Sequence, residues 1–482
     1  MQSNFHQRFS LQIESGLLKT ILVIIAIVVG LSASYAEDRV AGHWEGRIEI
    51  PGQPIPVKID LAINDGVWSG TIDIPVQGAK GLTLSDIHVV EENGSLHVKF
   101  SIRGVPGNPT FDGKLQDSVI NGTFSQSGAT FGFRLSRDIV VKDPARPQEP
   151  KPPFPYKIEE VTFQNGTVNL AGTLTLPQGD GPFPAVLLIS GSGLQDRDET
   201  LVGHKPFWVL ADHLSRAGIA VLRVDDPGIG KSAPHPKPPT TADFATDVEA
   251  SVAFLKQDKR IDRIGLIGHS EGGLIAAIVA SRSNDVGFIV LMAGPGVPGA
   301  ELLRKQNERI FDAAGIVGER KQNLLTLLDQ LFTILTSEDI AKDERQQGVN
   351  EIVRKQLEIN GVPQAQQDET HVRALAEQAL TPWMRYFLTF DPRPALEKIR
   401  VPVLALNGEL DVQVDAEQNL TAIAAALEKG GNRNVTVHRL PEHNHLFQRA
   451  KTGLVNEYGT IEETISPQVL NLIQEWLLLV TQ

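Results

Sequence analysis

The 482-residue sequence contains no cysteine. Disulfide bonds, thiolate metal sites, a cysteine nucleophile and a lipid-modified cysteine anchor are therefore excluded. The sequence also has no excess of basic residues, because 45 lysines and arginines stand against 58 aspartates and glutamates, a net charge of −13. A nucleic-acid-binding protein would present a basic face, so we expect no nucleic-acid partner.

Complete nucleotide-binding and zinc-binding motifs are also missing. The stretch VDDPGIGKS ends like a phosphate-binding loop, but Asp225 stands where the first glycine is required. The stretch GSGLQD begins like a dinucleotide-binding fingerprint, but Asp196 replaces its third glycine. No H-E-x-x-H pattern occurs. We therefore expect neither a cofactor nor a catalytic metal.

The apolar run near the N-terminus is short. Ile21–Leu31 has 11 residues, whereas a helix that spans a bilayer needs about 20. Basic residues precede this run, and small residues follow it in the −3 and −1 positions of a cleavage site after Ala36. The pattern predicts a signal peptide over residues 1–36 and export, to the periplasm of a bacterium, with an uncleaved anchor as the alternative. No stable membrane span is expected after cleavage.

The rest of the chain divides by pattern into two domains. Residues 37–141 alternate in short period-2 runs between Gly, Asn, Asp and Pro turns, which predicts a small antiparallel β domain. Six prolines within residues 142–156 predict a stiff linker. Residues 157–482 alternate strand and helix patterns, which favours an α/β fold with a mostly parallel sheet, and residues 297–395 read as an inserted set of amphipathic helices.

One serine stands where an α/β sheet can carry a nucleophile. Ser270 lies in GHSEGG, between the buried run RIGLIG and a helix pattern that begins with glycines. Gly268 and Gly272 permit the sharp turn that exposes a nucleophilic hydroxyl. The sequence therefore predicts a nucleophile elbow at Ser270.

A serine nucleophile needs a downstream acid and then a histidine. Asp411 follows the strand pattern VLALNG, with Glu409 and Asp415 as rivals. His445 follows the last strand pattern, with His443 as its rival, and the residues alone do not choose between them.

An oxyanion hole needs two backbone N–H groups. One is expected from Glu271, the residue after the nucleophile, and the other from Ser192 or Gly193 in the loop after PAVLLIS. Because Glu271 is assigned through its backbone, we expect Glu271→Gln to retain most activity.

Residues 157–482 resemble the α/β-hydrolase superfamily, and within it the bacterial carboxylesterases of the EstD type. The resemblance rests on six stretches that occur in the expected order, namely GSGLQDRDE, DDPGIGKS, GHSEGG, TPWMRYFLTFDP, VPVLALNGELDVQV and LPEHNHLFQ. It implies Asp411 as the acid and His445 as the base. A departure from the family pattern is Glu442, which replaces the usual glycine after LP.

The resemblance also implies the activity. We expect the protein to hydrolyse carboxylic esters with short acyl chains, through a Ser–His–Asp triad and an acyl-enzyme intermediate. The helical insertion becomes a lid, in which Trp383, Tyr386 and Phe387 are candidates to line the substrate pocket. Alternatives are a serine peptidase or aminopeptidase of the same fold, and a non-catalytic ligand-binding protein.

Overall fold

A computed structural model describes residues 39–50, 54–92, 95–105, 107–126, 129–359, 361 and 369–482. The predicted signal peptide, residues 1–36, lies outside the described residues. The chain divides after Asp143 into two compact units. In the part of the chain that the structure describes, no helix is both long and apolar enough to cross a bilayer.

The first unit is a closed eight-stranded antiparallel barrel in which β1 pairs with both β2 and β8. Its strands are β1 (Gly42–Glu49), β2 (Ile55–Asn64), β3 (Val67–Ile74), β4 (Ala79–Glu92), β5 (Ser95–Ile102), β6 (Thr110–Gln116), β7 (Val119–Gln126) and β8 (Ala129–Ser136).

The barrel encloses its own apolar core. Trp44, Phe100 and Phe111 are fully buried, since alternate residues of each strand point inward. Glycine is required where neighbouring strands approach closely. A Cβ atom at Gly122 would lie 2.1 Å from the carbonyl oxygen of Asp112.

The second unit is built on an eight-stranded sheet of order β16-β15-β14-β13-β11-β12-β10-β9. The strands are β9 (Lys157–Asn165), β10 (Val168–Leu176), β11 (Phe183–Ile189), β12 (Ala220–Val224), β13 (Ile261–His269), β14 (Val286–Met292), β15 (Val403–Gly408) and β16 (Val435–Leu440). Strands β11 to β16 are parallel, and β9 and β10 add an antiparallel edge. The central strands are continuous apolar runs because helices cover both faces.

Twelve helices are described in the second unit. They are α1 (Pro206–Arg216), α2 (Thr241–Gln257), α3 (Glu271–Ala280), α4 (Gly299–Ala313), α5 (Gly318–Thr336), α6 (Lys342–Ile359), α7 (Glu369–Ala379), α8 (Pro382–Thr389), α9 (Arg393–Leu396), α10 (Ala416–Lys429), α11 (Val455–Tyr458) and α12 (Pro467–Thr481).

Helices α4 to α9 lie between strands β14 and β15. Among them α5, α6, α7 and α8 contribute to a small core of their own, which includes Phe332, Val349 and Leu388. The predicted architecture, a mostly parallel sheet with a helical insertion after an all-β domain, is confirmed.

The proline-rich segment belongs to the second unit from Pro144 onward. Arg146 donates hydrogen bonds to the backbone carbonyls of Gly203 and Gly459, and the Gln148 side chain bonds the backbone of Ile465. Residues 144–156, predicted as a spacer, therefore pack on that unit. The proline count indicated a stiff chain and carried no information about these polar anchors.

Candidate active site

Ser270 occupies a strained turn between β13 and α3. Its φ of +53° and ψ of −122° lie in a region that residues with a side chain rarely adopt. The turn is held by hydrogen bonds from the Ser270 N–H to Met292 and from the Gly273 N–H to Ser270. A Cβ atom at Gly268 would lie 2.0 Å from the Gly272 carbonyl oxygen, and one at Gly272 would lie 2.1 Å from that of Ile189. Both glycines are therefore required for the turn.

Asp411 and His445 form a buried hydrogen-bonded pair. His445 Nδ1 lies 2.8 Å from Asp411 Oδ2, and Asp411 is fully buried. The other carboxylate oxygen accepts hydrogen bonds from the backbone N–H groups of Gln413 and Val414, both 2.8 Å long. These bonds fix the carboxylate, so it can hold the imidazole in one orientation.

The rival acids have other partners. Glu409 forms an ion pair with Arg439, with an Nε–Oε1 distance of 3.1 Å. Asp415 caps α10 by accepting the Gln418 N–H, and it pairs with Arg309. The structure therefore brings Asp411, and neither rival, to the histidine loop.

The rival histidine, His443, also has a different hydrogen-bond partner. Nδ1 of His443 donates to the Pro441 carbonyl oxygen at 2.6 Å. Glu442, which replaces the family's glycine, has a φ of +60°. A glutamate thus adopts the left-handed conformation that glycine prefers, at a cost of about 1 kcal/mol.

Ser270 and His445 line one cavity of about 370 Å³, a volume typical of ligand pockets. Ser192 and Glu271 also line it. The cavity opens at the carboxyl edge of the parallel strands, where ligands bind in sheets of this kind.

The loop after β11 lies directly against the nucleophile. A Cβ atom at Gly191 would be 3.1 Å from the Ser270 Cβ. Ser192 lines the cavity of Ser270, whereas Gly193, with a φ of +94°, lines an adjoining cavity of about 40 Å³. The N–H of Glu271 opens α3, where a helix has no internal acceptor for it. Ser192 and Gly193 both stay predictions as oxyanion donors, since the two cavities share Gly191 and Glu271 in their linings.

Two acidic residues after β12 anchor this loop. Asp225 accepts hydrogen bonds from the Arg197 guanidinium, and Asp226 accepts the Gln195 N–H at 2.8 Å. Burial raises the pKa of Asp226 to about 7. The stretch VDDPGIGKS, which resembles an incomplete phosphate-binding loop in the sequence, thus supports the loop after β11.

The lid aromatics divide between two cavities. Trp383 and Phe387 stack with ring centroids 5.3 Å apart and line the cavity of Ser270. Tyr386 stacks on Phe390 and lines a separate cavity of about 580 Å³. Successive residues of a helix point in directions about 100° apart, so Tyr386 and Phe387 cannot face the same space.

The Glu271 side chain makes contacts that the sequence does not indicate. The carboxylate oxygen Oε1 accepts hydrogen bonds from Thr241 Oγ1 at 2.6 Å and from Trp383 Nε1 at 2.8 Å, and the carboxyl group also bonds the Ser192 side chain. Burial raises the pKa of Glu271. The capped starts of α2 and α8 hold Thr241 and Trp383 in place. The carboxyl group therefore links the turn at Ser270, the loop after β11 and helices α2 and α8.

We expect Glu271→Gln to keep activity within about threefold, because the amide oxygen accepts from Thr241 and Trp383 and the amide N–H can bond Ser192. Glu271→Ala should lower kcat/KM by about tenfold or more, since it leaves buried donors unpaired. Steady-state kinetics on both variants, with melting curves to verify folding, checks this. Equal loss in the two variants would mean that the negative charge itself is needed.

Glu199 and His269 are a second feature that the sequence did not reveal. The two side chains form a buried pair beside the nucleophile, with 2.9 Å between Nδ1 of His269 and Oε1 of Glu199. Glu199 lies 70 positions from His269 in the sequence, and no local pattern indicates that the two side chains meet.

The family of this chain is shown by its similarity to known proteins. Residues 184–449 match the alpha/beta hydrolase fold family. The chain belongs to this family. The chain is also 27% identical over 285 residues to Esterase EstD of Thermotoga maritima, an alignment that covers 58% of this chain and 59% of that esterase. The chain thus matches less than two thirds of the length of EstD. The family predicted from the motifs is confirmed.

Several solved structures are similar to this chain over 67% of its length. The Pyrococcus furiosus esterase Pf2001 has a TM-score of 0.40 and 17% identity over 90% of its own chain. Est1E from Butyrivibrio proteoclasticus has a TM-score of 0.38 and 15% identity over 98% of its chain. A proline iminopeptidase-related protein from Thermus thermophilus has a TM-score of 0.40 and 20% identity over 98% of its chain.

Proposed function

We propose that this chain hydrolyses carboxylic esters by acyl transfer to Ser270. The observation that carries the proposal is a hydroxyl on a strained elbow that shares one cavity with His445, whose Nδ1 is bound to the buried Asp411. An ordinary serine hydroxyl is a weak nucleophile, and an adjacent base of this kind activates it.

Acylation follows from the roles of these groups. Nε2 of His445 takes the proton of Ser270 as Oγ forms a bond to the ester carbonyl carbon. Asp411 keeps the proton on Nδ1 and stabilises the imidazolium that forms. The N–H groups of Glu271 and Ser192 stabilise the oxyanion. Collapse of the intermediate breaks the carbon–oxygen bond to the alcohol, which leaves with the proton from His445.

Deacylation repeats the sequence with water. His445 removes a proton from a water molecule that attacks the acyl-enzyme carbonyl. The second tetrahedral intermediate breaks its bond to Ser270 Oγ, which takes the proton back from His445. The products are a carboxylic acid and the free enzyme.

The reaction class is tested by substrate comparison. Hydrolysis of p-nitrophenyl butyrate should exceed that of aminoacyl p-nitroanilides by about 10²-fold or more in kcat/KM, since an ester is the more reactive acyl donor and the cavity lining offers mainly apolar groups. Faster hydrolysis of the anilides would favour a peptidase. Hydrolysis of neither substrate by folded protein would favour a ligand-binding protein.

We also propose that Trp383 and Phe387 limit the acyl chain to short lengths, because their stacked rings occupy one wall of the cavity. Trp383→Ala should raise the ratio of kcat/KM for p-nitrophenyl octanoate over butyrate by about tenfold, since the space of the indole becomes available to methylene groups, each worth about 0.8 kcal/mol when buried. Tyr386→Ala, which changes a separate cavity, should leave this ratio unchanged. If this ratio changed in Tyr386→Ala and not in Trp383→Ala, the acyl chain would instead bind in the cavity that Tyr386 lines.

A further inference from the structure

The Glu199–His269 pair is buried next to the catalytic groups and has no part in the acyl-transfer steps. Glu199 is 1% exposed and His269 is 4% exposed. Two charges removed from water are tolerated only when they compensate each other and satisfy further hydrogen bonds. The pair meets both conditions, because each member has a second partner in the site.

The second partner of His269 fixes one of its protons. Nε2 lies 2.9 Å from the backbone carbonyl oxygen of His445. A carbonyl oxygen only accepts, so Nε2 must carry a hydrogen.

The second partner of Glu199 indicates where the other proton lies. Oε1 of Glu199, the atom that faces Nδ1 of His269, also accepts the backbone N–H of Gly191 at 2.7 Å. If both neighbours donate to Oε1, the contact joins a carboxylate to an Nδ1 that also carries a hydrogen. In that arrangement His269 is an imidazolium, which is the state that the proposal below adopts.

The charged groups around His269 agree with this state. Burial acts to lower the pKa of His269, but the charge and hydrogen bond of Glu199, the His445 carbonyl and the charge of Asp411 together outweigh it, so the pKa of His269 is raised. The ring of His445 also packs against His269, with centroids 4.7 Å apart.

Through these bonds the pair connects three separate segments of the chain. His269 ends β13 and directly precedes Ser270, Gly191 opens the oxyanion loop, and the bonded carbonyl belongs to His445 itself. The relative positions of the nucleophile, the oxyanion donors and the base must be precise to fractions of an ångström. A displacement of 1 Å can lower the rate by about 10²-fold.

We propose that Glu199 and His269 are positioning residues which, as a charged pair, hold the His445 loop and the oxyanion loop in register with Ser270. This inference rests on the proposed function, since it concerns the geometry of the acyl-transfer step. The pair touches no reacting atom and acts through Gly191 and His445.

The test exploits the charge of Glu199. In Glu199→Gln the amide oxygen can still accept from Gly191, but it no longer balances the imidazolium, so the pKa of His269 falls. As the pH rises through that lowered pKa, Nδ1 loses its proton and its lone pair then faces the amide oxygen. Above that lowered pKa the ratio of variant to wild-type kcat for p-nitrophenyl butyrate should therefore be about 0.1 or less, and it should rise toward one as the pH falls through that pKa.

Two further variants separate positioning from general damage. His269→Gln carries no titratable group, so its kcat should be reduced at every pH, with KM changed less than about threefold. The double variant Glu199→Gln with His269→Gln should have a kcat no lower than that of His269→Gln alone, because the two residues act as one unit.

Asp112→Asn, which breaks a His97–carboxylate pair of 2.6 Å in the barrel, is the control and should leave the ratio constant. A ratio for Glu199→Gln that stays near one at pH 8 and pH 9 overturns the proposal.

The protonation state supplies a readout that does not depend on activity. Nitrogen NMR of histidine-labelled protein, with His269→Gln for assignment, should show His269 with both ring nitrogens protonated at pH 7 in the wild type and neutral in Glu199→Gln. A neutral His269 in the wild type contradicts the charged pair. If the wild type hydrolyses no ester while the imidazolium is present, the proposed function fails and the assignment of the ion pair stands.

Discussion

Asp411→Asn is expected to lower kcat for p-nitrophenyl butyrate by about 10⁴-fold with little change in KM. The amide cannot serve as the anionic acceptor for the Nδ1 proton of His445, so the neutral imidazole shifts to the tautomer whose Nε2 carries the hydrogen. That tautomer cannot take the proton of Ser270. Steady-state kinetics across pH 6 to 9, with a melting curve to verify folding, measure the effect.

Glu409→Gln is the matched control, because Glu409 follows the same strand and was the strongest rival from sequence. Its side chain pairs with Arg439, and that half-exposed ion pair contributes little. We expect kcat within about twofold of the wild type. If Glu409→Gln were the inactive variant and Asp411→Asn active, the assignment of the acid would be wrong.

His445→Ala is expected to lower kcat by about 10⁶-fold, which is the scale on which hydrolases with this triad lose activity without their base. The loss should not deepen when Asp411→Asn is added, since the acid acts only through the imidazole. His443→Gln should retain kcat within about tenfold, because Nδ1 of His443 donates to Pro441 and a glutamine can replace that donor. Comparable losses in the two histidine variants would leave the base unassigned between them.

The nucleophile elbow could be predicted from the residues alone because its determinants are local. A buried strand, two glycines and a following helix stand within a dozen residues of Ser270, and the contacts of Gly268 and Gly272 explain why no other residue fits. The strand–helix alternation that predicted the α/β fold is local in the same sense.

The choice of His445 over His443 could not come from local pattern. Both histidines lie in one loop, and the direction of each side chain depends on backbone turns at Glu442 and Phe447, both with positive φ. Only the resemblance to the family selected His445, and the structure places it against Asp411.

The positioning residues had no sequence signal because their partners are far apart along the chain. Glu199 meets His269, and Glu271 meets Trp383, only after the sheet and the lid have formed. A carboxylate of that kind is indistinguishable in sequence from a solvated surface charge. Tyr386 was grouped with Trp383 and Phe387 by proximity in sequence, whereas helix geometry turns it toward another cavity.

The central claim is that Ser270 is a nucleophile activated by His445. Labelling of the full chain with a fluorophosphonate, followed by peptide mass spectrometry, tests it most directly. We predict one equivalent of label on the peptide that contains Ser270, none in Ser270→Ala, and labelling slowed by at least about 10³-fold in His445→Ala. Folded wild-type protein that takes up no label, or label that persists in Ser270→Ala, would contradict the account.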